Sequence, residues 1–182
     1  MSISYYIYTQ RIYMCDWKCD IVCEGKSLNS GGVKMKYAYK MEYVHPVEEK
    51  STVELVPYSK EYQEEYKKIY NACYHEMREA LNIEPFDFIQ DDSFFDEGME
   101  EVYLLLENGE IIGSVALKCG EIDDLIVNPK YQGQGFGKQL LLWALEHFKV
   151  ENIALHVAEW NQRAVSLYKK MGFEITETIE IG

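Results

Sequence analysis

Three glycines at alternate positions, Gly133, Gly135 and Gly137, stand in 129-PKYQGQGFGKQLL-141, immediately before a leucine-rich helical stretch. Glycine loses more backbone freedom on folding than any other residue, so such a cluster destabilises a chain unless the backbone requires it. Two requirements are physically distinct: a turn with positive φ, or close approach of another group to the main chain. A turn that enters a helix also aims several unpaired N–H groups at one point, where the helix dipole favours an anion. Two stricter phosphate motifs fail on spacing. The pattern G-x-x-x-x-G-K-[ST] meets Gln132 at its first glycine and Gln139 after Lys138. The pattern G-x-G-x-x-G does not fit G-x-G-x-G. What remains is a strand-to-helix turn, either empty or built for an anion.

Hydrophobic periodicity places elements around that turn. The stretch 59–82 carries Tyr62, Tyr66, Ile69, Tyr70, Cys73 and Met77 at helical spacing, with Ser59 as its N-cap. TVELVP before it is a short strand, and residues 83–101 form a loop or broken helix rich in acids. Asn108-Gly109 sits at the tip of a hairpin. EIDDLIVNP is a strand into the glycine turn, followed by a helix to about Phe148, the strand NIALHVAEW, the helix QRAVSLYKKMG stopped by Gly172, and the strand FEITETIEI. The fold class is α+β: a mixed, mostly antiparallel sheet flanked by helices.

The first fifty residues differ. They carry 7 Lys/Arg and 6 Asp/Glu, whereas residues 51–182 carry 11 and 25. In 33-VKMKYAYKMEYV-44, Met35, Tyr37, Tyr39, Met41 and Tyr43 alternate against Lys34, Lys36, Lys40 and Glu42, a half-buried strand pattern. SYYIYTQRIYM and CDIVCE also read as strands, with a turn at 27-SLNSGG-32. Residues 1–50 are therefore expected to be an N-terminal antiparallel β extension, and 51–182 a domain of their own. An exposed edge on that extension leaves a homodimer open.

Net charge is −13 and no basic footprint is present, so nucleic acid is not an expected partner. No apolar run reaches the ~18 residues of a membrane span, and no signal peptide is visible at the start. Five cysteines, an odd number, fit a reducing cytoplasm. Cys15, Cys19 and Cys23 recur every four residues, which is not zinc spacing, so no metal is expected.

VNPKYQGQGFGKQLL resembles motif A of the GCN5-related N-acetyltransferases (GNAT family), [Q/R]-x-x-G-x-[G/A], through Gln132, Gly135 and Gly137. The later 155-LHVAEWNQRAVSLYKKMGF-173 resembles the family's second signature, and the element order from residue 52 matches as well. The likeness covers about 130 residues and leaves out the front end.

By that resemblance, the backbone of Gln132, Gly133, Gln134, Gly135, Phe136, Gly137 and Lys138 would wrap the pyrophosphate of acetyl-CoA. Leu125, Ile126 and Val127 would pair with its pantetheine arm, and Asn161 would hydrogen-bond it. Tyr168, seven residues after Asn161, would protonate the departing thiolate. For the general base, His156 faces away from the aliphatic side of its strand, and histidine is the residue type suited to proton transfer at neutral pH; Glu121 and Asp123 are rivals, with Asp124 expected on the opposite face. The implied activity is acetyl transfer to a primary amine, on a small molecule or a peptide, by direct transfer in a ternary complex. A non-catalytic acyl-CoA sensor and a transferase for longer acyl groups are the alternatives. The acids Asp87, Asp91, Asp92 and Asp96 either receive a cationic acceptor or simply solubilise a loop whose phenylalanines are buried.

Overall fold

The computed structural model describes residues 36–96, 98–148 and 152–181. Along the chain run β1 (Tyr37–Tyr43), β2 (Val56–Pro57), α1 (Gln63–Ala80), β3 (Val102–Glu107), β4 (Glu110–Lys118), β5 (Glu121–Val127), α2 (Phe136–His147), β6 (Ala154–Ala158), α3 (Gln162–Lys170) and β7 (Phe173–Glu180). The strands form one seven-stranded sheet in the order β2-β3-β4-β5-β6-β1-β7. The β5–β6 pair is parallel, and the others are antiparallel.

The strand predicted in 33–44 forms, but not as part of a separate sheet. β1 lies inside the sheet, with Met41 opposite Leu155 on one side and Ile175 on the other. Its faces follow the predicted alternation: Met41 is fully buried in the main core, where Tyr39 and Tyr43 pack, while Lys40 and Glu42 pair with each other at 3.1 Å. Among the described residues β1 is thus an inner strand of the same sheet, whose outer strands are β2 and β7. The strands expected upstream, and Cys15, Cys19 and Cys23, lie outside the described residues.

Among the described residues the two larger cores lie on opposite faces of the sheet, and a smaller cluster gathers Ala38, Leu81, Ala158 and Ile181. On one face α1 packs Tyr66, Ile69 and Tyr70 against Leu104, Ile111 and Ile126. On the other, Leu140, Leu141, Leu142 and Ala144 of α2 and Val165 and Tyr168 of α3 meet Val115, Ile122 and Leu155. Five successive buried positions from Leu140 to Ala144 leave α2 little polar face. The chain after β1 explains why: Ser51 and Thr52 bond to Gln139 and Glu146 and strap Val47 and Val53 over the helix. Burying each such aliphatic side chain contributes ~1.5–3 kcal/mol. Gly113 lets β4, β5 and α2 close together, since a Cβ there would lie 2.5 Å from the Ile126 carbonyl oxygen and 2.8 Å from Leu140.

Smaller departures have local causes. Ser59 makes no capping hydrogen bond, because a 3-10 turn at Lys60–Tyr62 precedes α1. The strand expected in TVELVP shortens to two residues. The hairpin turns at Asn108 and Gly109 with φ of 53° and 82°, as Asn-Gly favours. No described helix is long and apolar enough to cross a membrane.

Candidate active site

β5 and β6 pair only at Glu121–Ala154 and Ile122–Leu155. Beyond that point β5 continues beside β4 and β6 continues beside β1, so the sheet opens between them. A cavity of about 460 Å³ occupies the opening. Its wall takes Cys73, Tyr74 and Met77 from α1 on one face, and Phe136, Leu167 and Tyr168 from α2 and α3 on the other. The split thus connects the two faces of the sheet. Every position predicted for the site lies on this wall except Gln134, an exposed residue at the tip of the turn.

The glycine turn follows directly from β5. Gly133 and Gly135 adopt φ of 83° and 92°, the left-handed region where a Cβ is strained. Gly135 is the N-cap of α2 and brings no side-chain cap for the Phe136 and Gly137 N–H groups, whereas the Lys138 N–H bonds the Gly135 carbonyl at 3.0 Å. Gly137 packs instead: a Cβ there would touch Leu167 and Val127 at 3.7 Å. Gln132 braces the turn by donating Nε2 to the Val127 carbonyl at 3.1 Å. The Lys138 ammonium pairs with Glu49 at 2.6 Å, so that position already has a counter-charge from the strap. Arg163 lies over Gly133, with Nη2 3.7 Å from where a Cβ would stand.

Asn161 caps α3 by accepting from the Ala164 N–H at 3.1 Å, which leaves its Nδ2 as the remaining donor group. Tyr168, two turns on, is 8% exposed and packs on Phe173. Burial, and then the charge of Asp124, push its phenol up to about 12. It therefore holds its proton throughout the physiological range. His156 Nδ1 stands 3.9 Å from Glu121 Oε2, both partly buried on the α1 face.

Asp124 departs from expectation. Plain alternation puts it opposite Glu121, but β5 bulges: Ile122 pairs with Leu117 and Asp124 with Ala116, so Asp123 is an extra residue between the partners of two adjacent β4 positions. The extra residue returns Asp124 to the face of Glu121 and His156. There its carboxylate is buried and accepts the Tyr70 hydroxyl at 2.8 Å and the Tyr74 hydroxyl in a short bond. Tyr74 continues the four-residue series of Tyr62, Tyr66 and Tyr70, the signal by which it was legible. Cys73 is pushed up to about 12, first by burial and then by Asp124, against a 3.3 Å bond to the Val127 carbonyl.

In the acidic segment 83–101, Asp87, Asp91, Asp92 and Asp96 are all exposed. Phe88, Phe94 and Phe95 pack on the α1 core, while Asp91 caps Ser93, Asp92 reaches Lys67 and Asp87 meets His75. No described residue of the segment lines the cavity.

The acetyltransferase (GNAT) family model matches residues 61–173, well over half of the chain. The chain belongs to this family. Among curated GNAT relatives, peptidyl-lysine N-acetyltransferase YjaB of Salmonella typhimurium is 36% identical over 75 residues, 41% of this chain and 50% of the relative. A mycothiol acetyltransferase of Saccharomonospora viridis is 29% identical over 123 residues, 58% of this chain and 39% of the relative. The chain thus spans half or less of the length of these relatives. A GNAT-family acetyltransferase structure from Colwellia psychrerythraea superposes with a TM-score of 0.62 at 12% identity, over 85% of this chain and 59% of that one. Apo YjaB from Escherichia coli gives 0.56 at 23% identity, over 69% and 84%. At those identities the likeness is one of fold.

Proposed function

We propose that the chain transfers an acetyl group from acetyl-CoA to a primary amine by direct attack in a ternary complex. The observation that carries this reading is the cavity in the β5–β6 split, lined by residues from both faces of the sheet. Glu121 and the glycine turn lie at opposite ends of β5, about 20 Å apart at ~3.3 Å per residue. That distance suits a long co-substrate laid along the strand with its reacting end near His156.

The backbone of Leu125, Ile126 and Val127 holds the pantetheine arm as an added strand, with Asn161 Nδ2 as a further donor. The amides of residues 133–137 and the α2 dipole receive the pyrophosphate, those of Gln132 and Lys138 being bonded to Pro129 and Gly135, and the open space beside Gly135 fits that use. His156, steadied by Glu121, takes a proton from the ammonium directly or through water. The neutral nitrogen then forms its bond to the thioester carbon as the C–S bond breaks, Tyr168 gives its proton to sulfur, and the second proton shed by the new amide nitrogen passes through water to restore the phenol. A phenol that stays protonated near neutrality suits this donor role, and general acid–base groups contribute ~10²–10⁴-fold. The name of the Salmonella relative, a peptidyl-lysine N-acetyltransferase, supports an amine acceptor.

The test is acetyl-CoA binding by calorimetry, followed by CoA-thiol release across a panel of primary amines. Binding with release for at least one amine is expected. Binding without release from any amine would transfer the reading to an acyl-CoA-binding module, and no binding would leave the glycine turn as a turn only.

A further inference from the structure

We infer that Tyr74 holds the acceptor nitrogen, that Asp124 is the positioning residue acting through it, and that the acceptor is an alkyl primary amine. This rests on the acetyltransferase reading above and adds the side of the cavity that faces the acceptor.

The geometry starts from the buried carboxylate. Asp124 is 9% exposed and accepts hydroxyl protons from Tyr70 and Tyr74, one turn apart on α1. Tyr70 is 1% exposed and lies within the core, whereas Tyr74 lines the cavity. A phenol that gives its single proton to a carboxylate has only lone pairs left for any second partner. The charge-assisted bond also enriches that oxygen, and the low dielectric around it strengthens the effect. Burial and the adjacent carboxylate hold the Tyr74 phenol well above its ordinary value, so it stays a phenol rather than a phenolate. Toward the cavity Tyr74 is thus an acceptor, and the group that fits it is an N–H.

His156 and Glu121 line the same cavity as Tyr74. His156 and Glu121 stand on the same face of the sheet as Asp124, 3.9 Å apart. A nitrogen held between Tyr74 and His156 has an acceptor on one side and a base on the other. Met77, one turn beyond Tyr74, and Ile122 supply apolar wall for the carbon chain that carries the nitrogen. Neither Tyr74 nor Asp124 lies in the glycine turn, so the proposal separates acceptor binding from acetyl-CoA binding.

The test is CoA-thiol release from n-pentylamine at saturating acetyl-CoA, in the unmodified protein and in Tyr74→Phe, Asp124→Asn and Tyr70→Phe. Tyr70→Phe removes a hydrogen bond from the same carboxylate without altering the cavity wall, which isolates any purely structural effect. The expected result is an acceptor KM raised on the order of tenfold or more in Tyr74→Phe and Asp124→Asn, beyond the change in Tyr70→Phe, with the acetyl-CoA Kd unchanged. If Asp124→Asn does not fold, Tyr74→Phe against Tyr70→Phe still decides. Equal KM changes in the two tyrosine variants, or none, overturn the inference. Release from other amines but not from pentylamine overturns it alone, whereas release from no amine overturns the proposed function together with it.

Discussion

Gly135 and Gly172 are both at positive φ, 92° and 93°, yet for different reasons. Around Gly135 nothing lies within 4 Å of a would-be Cβ; at Gly172 the His45 carbonyl oxygen would be 1.9 Å away. Gly172→Ala therefore meets backbone directly and is expected to abolish cooperative folding. Gly135→Ala meets only left-handed strain of about 1–2 kcal/mol and a methyl in the space assigned to phosphates. It is expected to fold and to lose acetyl-CoA affinity. Melting curves and calorimetry on both variants check this, and normal acetyl-CoA binding by Gly135→Ala would contradict the turn's role. The glycine spacing was legible because a turn is local chemistry. Asp124 was not, since alternation counts residues and a β-bulge adds one that no residue type announces.

At the scale of elements, the seam between α1 and β5 collects Tyr70, Cys73 and Tyr74 around Asp124, with Tyr168 facing them from α3. All four acids are raised, chiefly by burial and next by Asp124. Between their ordinary values of 9.0 for the thiol and 10.0 for the phenols and the higher values in the fold, the native state keeps protons that the unfolded chain has lost. Stability is therefore complete below about pH 9 and falls as pH rises from there. Urea midpoints measured from pH 8 to 11 should decline, and a flat profile would contradict the seam. β1 makes a second prediction. Met41 is fully buried between β6 and β7, so Met41→Ala should lower stability by roughly 2–5 kcal/mol. An unchanged urea midpoint would mean that the strand is dispensable. The alternation in 33–44 revealed which face of β1 is buried. It carried no information about partners more than a hundred residues away, which is why a separate extension was the natural reading.

Across the whole molecule, charge is a field rather than a site. The chain carries 31 acids against 18 bases, and the described ones of residues 83–101 stand outside the cavity. With screening over about 8 Å at physiological salt, the double variant Asp91→Asn, Asp92→Asn should leave the acceptor KM unchanged; a rise would restore the segment to the pocket. The family and fold class were readable because motif A and the second signature each sit on a single turn-and-helix unit in the right order. The cavity itself was not, since it arises where two strands part. The measurement that bears most directly on the account compares Tyr168→Phe with the unmodified protein, by calorimetry with acetyl-CoA and by thiol release with the best amine of the panel. The account predicts intact binding with release reduced by about 10²–10⁴-fold. Release at the unmodified rate in Tyr168→Phe would contradict it.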